Sequence, residues 1–137
     1  MITVTRKVEF CAAHRLYNPA WNDAQNREVF GKCSNPHGHG HNYVLNVSVT
    51  GLLEEESGMI VNVSILGAVL QREVVDRLDH RNLNTDVDFL SGVISTMENI
   101  VGKLAERLKS ALDKMGLTLV KLELSESNKN SVTLELL

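Results

Sequence analysis

The sequence has little of several features that mark particular classes of protein. It has only two cysteines, Cys11 and Cys33, which are too few for a disulfide framework. Its net charge of −3 leaves no excess of basic residues, and this argues against nucleic acid or an anionic membrane as a partner. No segment has the roughly 20 consecutive apolar residues of a membrane span, and no signal peptide is predicted. We therefore expect a cytoplasmic protein with reduced thiols.

The hydrophobic and charged shares, 43% and 23%, are those of an ordinary globular protein, and 137 residues predict one domain over residues 1–137. Alternating apolar residues predict strands near residues 2–14, 40–51, 120–124 and 132–136. Apolar residues at helical spacing predict helices near residues 65–78 and 96–115. Ser64 is the expected N-cap of the first helix. Ser95 and Glu98 have capping-box spacing before the second, and Gly116 is its expected stop.

This order, ββααββ, predicts an α+β fold in which two helices cover one face of a four-stranded antiparallel sheet. The connection over residues 16–36 is rich in Asn, Pro and Gly and is expected to be a long loop, of the kind that often serves function. So small a sheet leaves its edges and outer face open, and we therefore expect the protein to form oligomers.

The segment over residues 30–43, FGKCSNPHGHGHNY, carries the most information about chemistry. His39 and His41 lie two residues apart at the start of a strand and therefore point the same way. His14, at the end of the first strand, shares the parity of that strand's apolar residues. If the two strands pair, three imidazoles meet at one end of the inward face. Three histidines with one open position are typical of a catalytic zinc site.

Two alternatives remain open for these histidines. A single histidine on an apolar face, such as His14, is usually a core residue whose ring is satisfied by hydrogen bonds. His37 also shares the parity of His39 and His41, so a register in which His37 and His39 bind the metal is an alternative.

Four further residues are candidates for chemistry. Cys33 lies in a polar loop beside Lys32, an environment that lowers a thiol pKa, whereas Cys11 is expected to be inert. Asp79 and His80 follow the first predicted helix. A histidine at the C-terminal end of a helix is favoured by the helix dipole, which is one explanation for His80. The functional alternative is that Asp79 orients the His80 imidazole so that the pair relays protons. Glu126 shares the inward parity of its strand and needs a partner, which a heterocycle with paired N–H donors, an arginine or backbone amides would supply.

The chain resembles the 6-pyruvoyl-tetrahydropterin synthase family, including its 6-carboxy-tetrahydropterin synthase branch. The cysteine–HGHNY stretch is the most specific part of the resemblance, and the other segments follow in the same order along nearly the whole chain. The matching segments are residues 10–16 (FCAAHRL), 30–43 (FGKCSNPHGHGHNY), 58–62 (GMIVN), 78–84 (LDHRNLN), 95–99 (STMEN) and 125–127 (SES).

The resemblance implies a tunnelling fold (T-fold), in which subunits close into a trimeric barrel and two trimers form a homohexamer. It implies Zn²⁺ on His14, His39 and His41, with Cys33, Asp79 and His80 as the catalytic set, in active sites that lie between subunits. It also implies that Glu126 anchors the pterin and that Ser95 and Thr96 line its pocket. The implied substrate is 7,8-dihydroneopterin triphosphate, which loses triphosphate to give 6-pyruvoyl-tetrahydropterin. The basic candidates for the triphosphate are Lys32, Arg15 and Lys129.

Met97 departs from the family pattern, because it stands where a second small hydroxyl residue is usual. The HGHGH run fits both branches. Five residues separate Cys33 from His39, the pyruvoyl-type spacing, and three separate it from His37, the carboxy-type spacing. We expect the 6-pyruvoyl product, with the 6-carboxy product and released acetaldehyde as the alternative. A zinc hydrolase is disfavoured by the lack of a His-Glu-x-x-His segment. A metal- or pterin-binding module without catalysis is the non-enzymatic alternative.

Overall fold

A computed structural model describes residues 1–136, which form an α+β fold around a five-stranded sheet. The strands lie in the order β3-β1-β2-β4-β5. They are β1 (Val4–His14), β2 (His39–Thr50), β3 (Arg81–Asn82), β4 (Thr118–Ser125) and β5 (Ser131–Glu135). The helices are α1 (Asp23–Phe30), α2 (Val63–Leu70), α3 (Asp76–Leu78) and α4 (Met97–Asp113). A π-helical turn over Gln71–Val75 joins α2 to α3, and 3₁₀ turns occupy Gly31–Ser34 and Asp88–Leu90.

The prediction of four antiparallel strands was wrong in one respect. The short strand β3 pairs parallel with Ala12 and Ala13 of β1, so the sheet has five strands and is mixed. The four predicted strands do form, and their pairings are all antiparallel. A strand of two residues is too short to be predicted from apolar alternation. It forms because the chain after α3 runs along the free edge of β1 and pairs with it.

The expected long loop over residues 16–36 was also a wrong prediction, because it contains α1 and a 3₁₀ turn. Asn22 caps α1 with a capping box in which its side chain accepts from the Gln25 N–H and the Gln25 side chain accepts from the Asn22 N–H. The helix was missed because few of its residues are apolar. Its stability comes from capping and from docking of Asn26, whose side chain bonds Asn18.

Both predicted N-caps are one or two residues away from the observed ones. Asn62 caps α2 by accepting a hydrogen bond from the Ser64 N–H, so Ser64 itself is inside the helix. Thr96, and not Ser95, caps α4, by accepting from the Asn99 N–H at 3.3 Å. Ser95 is instead free to turn inward, and this places it beside His14.

One buried cluster joins the inward face of the sheet to the helices. The predicted parity of β2 is confirmed, since Tyr43, Leu45, Val47 and Val49 are fully buried. The apolar stripe of α4 packs into the same cluster. A register shift between β2 and β4 lies at Ser48 and Val49, far from the histidines, so it leaves the parity of the site unchanged.

None of the helices in residues 1–136 combines the length and the apolar character needed to cross a membrane. The cytoplasmic location and the expectation that neither nucleic acid nor membrane is a partner stay predictions.

Candidate metal centre and active site

Pairing of β1 with β2 brings three histidines together at one end of the sheet. His14 lies directly opposite His39, and His41 lies opposite Ala12, whose small side chain leaves room for the ring. One ring nitrogen from each of the three can be chosen so that all lie within 4.8 Å of one another. His37 is exposed in the turn before β2 and is not part of this cluster. The geometry therefore favours the His39/His41 register.

The glycines between the histidines let the two strands approach this closely. Gly38 has a φ of +74°, a left-handed conformation that residues with a Cβ rarely adopt. A Cβ added there would also meet the His14 carbonyl oxygen at 3.0 Å. Both constraints explain why glycine precedes His39, the first residue of β2.

His14 is held in one orientation by the loop before α4. Its Nδ1 donates to the Ser95 carbonyl at 2.9 Å, which leaves the lone pair of Nε2 as the acceptor. The residue is 1% exposed, and burial lowers the pKa of its imidazole to about 4. His14 is thus neutral at physiological pH, as a metal ligand must be.

His39 supplies the observation that most favours a metal site over a cluster of core histidines. Its Nε2 is buried and has no hydrogen-bond partner among residues 1–136. Burial, followed by the neighbouring His41, lowers the pKa of His39. A buried imidazole nitrogen without a partner is costly unless something binds it. Three converging imidazoles, one of which has a buried nitrogen without a partner among the described residues, fit a divalent metal such as zinc.

Glu126 and Tyr43 border the cluster. The carboxylate of Glu126 lies 3.7 Å from His41 Nε2, so the inward orientation predicted for Glu126 is observed. The Tyr43 hydroxyl lies 3.4 Å from His14 Nε2. Burial raises the pKa of the Tyr43 phenol, and the nearby Glu126 and Cys33 add to the effect. Tyr43 is therefore a neutral wall of the site.

Cys33 lies in the 3₁₀ turn that packs against the end of β1. Its carbonyl accepts from the Leu16 N–H at 2.8 Å, and the carbonyl of Ser34 accepts from Arg15 Nε at 2.7 Å. These bonds fix the turn that carries the partly exposed Cys33, which is near enough to Tyr43 to help raise the pKa of its phenol. The sequence identified Cys33, but it gave no sign that Arg15 anchors the turn.

Asp79 and His80 form a pair at the edge of β1. Asp79 accepts from the Cys11 N–H at 2.8 Å and from His80 Nδ1 at 2.9 Å. His80 has a φ of +60°, a strained conformation for a residue with a side chain, and its side chain is 83% exposed. No hydrogen bond among residues 1–136 joins this pair to Cys33. Hydrogen bonds to Cys11 and His80 lower the pKa of Asp79, so its carboxylate stays ionised.

Of the remaining predicted residues, Ser95 contacts the histidine cluster, whereas Thr96 and Met97 lie at the start of α4. Ser95 is 1% exposed and its hydroxyl lies 3.3 Å from His14 Nδ1, so it contacts a proposed ligand directly. Thr96 caps α4, and Met97 begins that helix, partly buried against the core. The contact between the Ser95 backbone and His14 was missed, because a carbonyl partner leaves no mark in a sequence.

The low pKa of His14 predicts how acid affects the metal-free protein. The folded state holds this imidazole neutral down to about pH 4, whereas the unfolded chain protonates near pH 6.5. The unfolded state therefore binds more protons below pH 6.5, and the free energy of unfolding falls as the pH drops from 6.5 towards 4, by about 3 kcal/mol from this group. Urea unfolding of the metal-free protein at several pH values will measure the slope. In His14→Gln the free energy of unfolding should depend less steeply on pH between 6.5 and 4. An unchanged dependence would contradict the lowered pKa of His14.

Comparison with known proteins identifies the family to which the chain belongs. The sequence profile described as 6-pyruvoyl tetrahydropterin synthase matches residues 3–136. The chain belongs to the 6-pyruvoyl tetrahydropterin synthase family. It is 41% identical to a putative 6-pyruvoyl tetrahydrobiopterin synthase of Caenorhabditis elegans over 97% of this chain and 94% of that protein. It is 38% identical to the Homo sapiens 6-pyruvoyl tetrahydrobiopterin synthase over 94% of this chain and 88% of the relative.

The fold is that of the same family. The structure of the Caenorhabditis elegans 6-pyruvoyl tetrahydropterin synthase matches with a TM-score of 0.89 at 40% identity, over 98% of this chain and 94% of that one. The other branch is more distant. A 6-carboxy-5,6,7,8-tetrahydropterin synthase of Bacillus subtilis is 33% identical over 65% of this chain and 59% of its own length. The predicted family resemblance is confirmed.

Proposed function

We propose that the protein is a zinc-dependent 6-pyruvoyl-tetrahydropterin synthase. It is a lyase that converts 7,8-dihydroneopterin triphosphate to 6-pyruvoyl-tetrahydropterin with elimination of triphosphate. The observation that carries the proposal is the three-histidine cluster, in which His39 Nε2 has no partner among the described residues. Membership of the family supplies the substrate class.

His14, His39 and His41 would hold the ion, and three imidazoles with an open position favour Zn²⁺ over harder cations. When bound, the ion supplies Lewis-acid polarisation of the substrate side-chain hydroxyls, which acidifies the protons on the adjacent carbons. The chain's own part is to keep three imidazole nitrogens converged. The low pKa values of His14 and His39 serve this directly.

Cys33 and Glu126 have complementary tasks. The Cys33 sulfur takes a carbon-bound proton, after which the bond from carbon to the triphosphate oxygen breaks and triphosphate leaves with the electron pair. Tautomerisation within the pterin balances the redox change, so no nicotinamide is needed. Glu126 holds the 2-amino group and ring N–H of the pterin in a bidentate, charge-assisted pair. Ser95 and Thr96 are retained as candidates for the adjoining wall of the pterin pocket.

Asp79 and His80 are proposed to serve the Cys33 of a neighbouring subunit. The His80 side chain is largely exposed, and no hydrogen bond among residues 1–136 joins the pair to Cys33 of the same chain, which supports a site completed by a second subunit. Strand β5 leaves an open edge at one side of the sheet and β3 ends the other. We therefore propose the barrel-shaped trimer and the homohexamer of stacked trimers, with His80 moving protons during tautomerisation.

The 6-pyruvoyl product is preferred on two observations. The cluster uses His39 and His41, and five residues then separate Cys33 from His39, the pyruvoyl-type spacing. The 6-pyruvoyl relatives are also more similar to this chain, over more of its length, than the 6-carboxy relative. The 6-carboxy product of queuosine biosynthesis is the second candidate.

Mass spectrometry of the products will test the proposal. Purified protein loaded with Zn²⁺ is incubated anaerobically with 7,8-dihydroneopterin triphosphate, with and without a chelator. We expect 6-pyruvoyl-tetrahydropterin and triphosphate, and loss of both with the chelator. A 6-carboxy product with acetaldehyde would assign the chain to the other reaction. Unchanged substrate with metal-loaded protein would overturn the enzyme proposal and favour a binding module.

A further inference from the structure

Asn84 occupies a position that the proposed reaction does not explain. It lies just beyond β3, partly buried, and its side chain bridges two other segments of the chain. Asn84 Oδ1 accepts from the Arg15 N–H at 2.6 Å, and Asn84 Nδ2 donates to the Arg15 carbonyl at 3.0 Å. The amide thus pairs with the backbone directly after His14, much as a further strand would.

The same amide also reaches the loop before α4. Asn84 Nδ2 lies 3.2 Å from the Ser95 hydroxyl, which it can donate to. Ser95 in turn contacts His14 Nδ1 with its carbonyl at 2.9 Å and with its hydroxyl at 3.3 Å. One side chain therefore fixes both the backbone that carries His14 and the loop that orients its ring.

We infer that Asn84 is a positioning residue for the metal centre, which sets the orientation of His14 by holding Arg15 and Ser95 in place. Its side chain bonds Arg15 and Ser95 and makes no hydrogen bond to the three histidines among residues 1–136. Partners that orient a ligating histidine typically account for a 10- to 100-fold difference in metal affinity. The inference deepens the proposed function, because it concerns the same site, but it requires only that the site binds metal.

The test is the affinity for Zn²⁺, measured without substrate by competition with a chromophoric chelator. Asn84→Ala should bind Zn²⁺ about 10- to 100-fold more weakly than the unaltered protein. Ser95→Ala removes the hydroxyl link and keeps the carbonyl that bonds His14, so its loss should be smaller. If Asn84 acts through Ser95, the losses in the double variant should be less than additive.

Asn46→Ala is the matched control. Asn46 is an asparagine of β2 whose amide bonds Glu123 at 3.3 Å, away from the histidines. Asn46→Ala also loses a side-chain hydrogen bond of an asparagine, but it should leave the Zn²⁺ affinity unchanged. Circular dichroism of the metal-free variants checks that each is folded, and the Co²⁺-substituted spectrum reports the ligand geometry.

The outcomes separate this inference from the proposed function. Folded Asn84→Ala with unaltered Zn²⁺ affinity and an unaltered Co²⁺ spectrum would overturn the inference, whatever the activity. Weakened Zn²⁺ binding in Asn84→Ala supports it even if the unaltered protein forms no pterin product. An unaltered protein that binds no Zn²⁺ would overturn both.

Discussion

Replacing Cys33 with alanine will reduce turnover of 7,8-dihydroneopterin triphosphate by at least about 100-fold while the protein keeps its metal. A positioned general base is worth about 10²- to 10⁴-fold in rate. Cys33 is the candidate base, and it is near enough to Tyr43, at the border of the cluster, to raise the pKa of that phenol. The metal should remain because the cluster that would hold it consists of His14, His39 and His41. Steady-state kinetics and metal analysis of the same preparation will measure the two effects.

Cys11→Ala is the matched control for this prediction. Cys11 is the other free cysteine, and its exposed side chain lies on the face of β1 opposite the core. Its backbone, which holds Asp79 and His80, is unchanged by the substitution. Turnover should stay near that of the unaltered protein. Full activity in Cys33→Ala would contradict the catalytic role and favour a binding module in which the thiol is structural.

Replacing His39 with alanine will weaken Zn²⁺ binding by more than about 100-fold, beyond what loss of a partner around a ligand causes. The reason is that His39 Nε2 is buried, unpartnered among the described residues and within the cluster of ring nitrogens. In the metal-free protein this change breaks no hydrogen bond from that nitrogen, so any loss of stability should come only from the lost packing of the ring against His14 and His41. Isothermal titration and chelator competition will measure the affinity.

His37→Ala distinguishes the two registers of the histidine run. His37 is exposed and outside the cluster, so this variant should bind Zn²⁺ as the unaltered protein does. If His37→Ala lost the metal and His41→Ala kept it, the alternative register with His37 and His39 as ligands would be correct. The same result would remove one of the two arguments for the 6-pyruvoyl product.

The sequence predicted the parts of the site that depend on alternation within a strand. Side chains two residues apart share a face, so the inward positions of His14, His39 and His41 followed from the apolar residues around them. Cys33 and Glu126 were also identified, and the structure places both near Tyr43. The strands β1, β2, β4 and β5 formed close to their predicted bounds for the same reason.

Elements stabilised by contacts distant in sequence were missed. Strand β3 exists because two residues meet the free edge of β1, and α1 depends on its capping box and on Asn26. The N-cap of α4 is Thr96, and not Ser95, because Ser95 turns inward towards His14. No periodic pattern in the local sequence predicts these three features, since each depends on contacts with residues that the fold brings close.

The sequence by itself determined the residue types of the centre and the face on which each lies, because alternation along a strand is a local property. Only the tertiary structure decided the rest. It paired His14 with His39, left His37 outside the histidine cluster, and left His39 Nε2 without a partner among residues 1–136. It also placed Ser95, which is 81 residues distant in sequence, against the His14 ring, and it placed Asn84 against the backbone of Arg15. The register between strands and the packing of loops are set by the whole core, and no short segment encodes them.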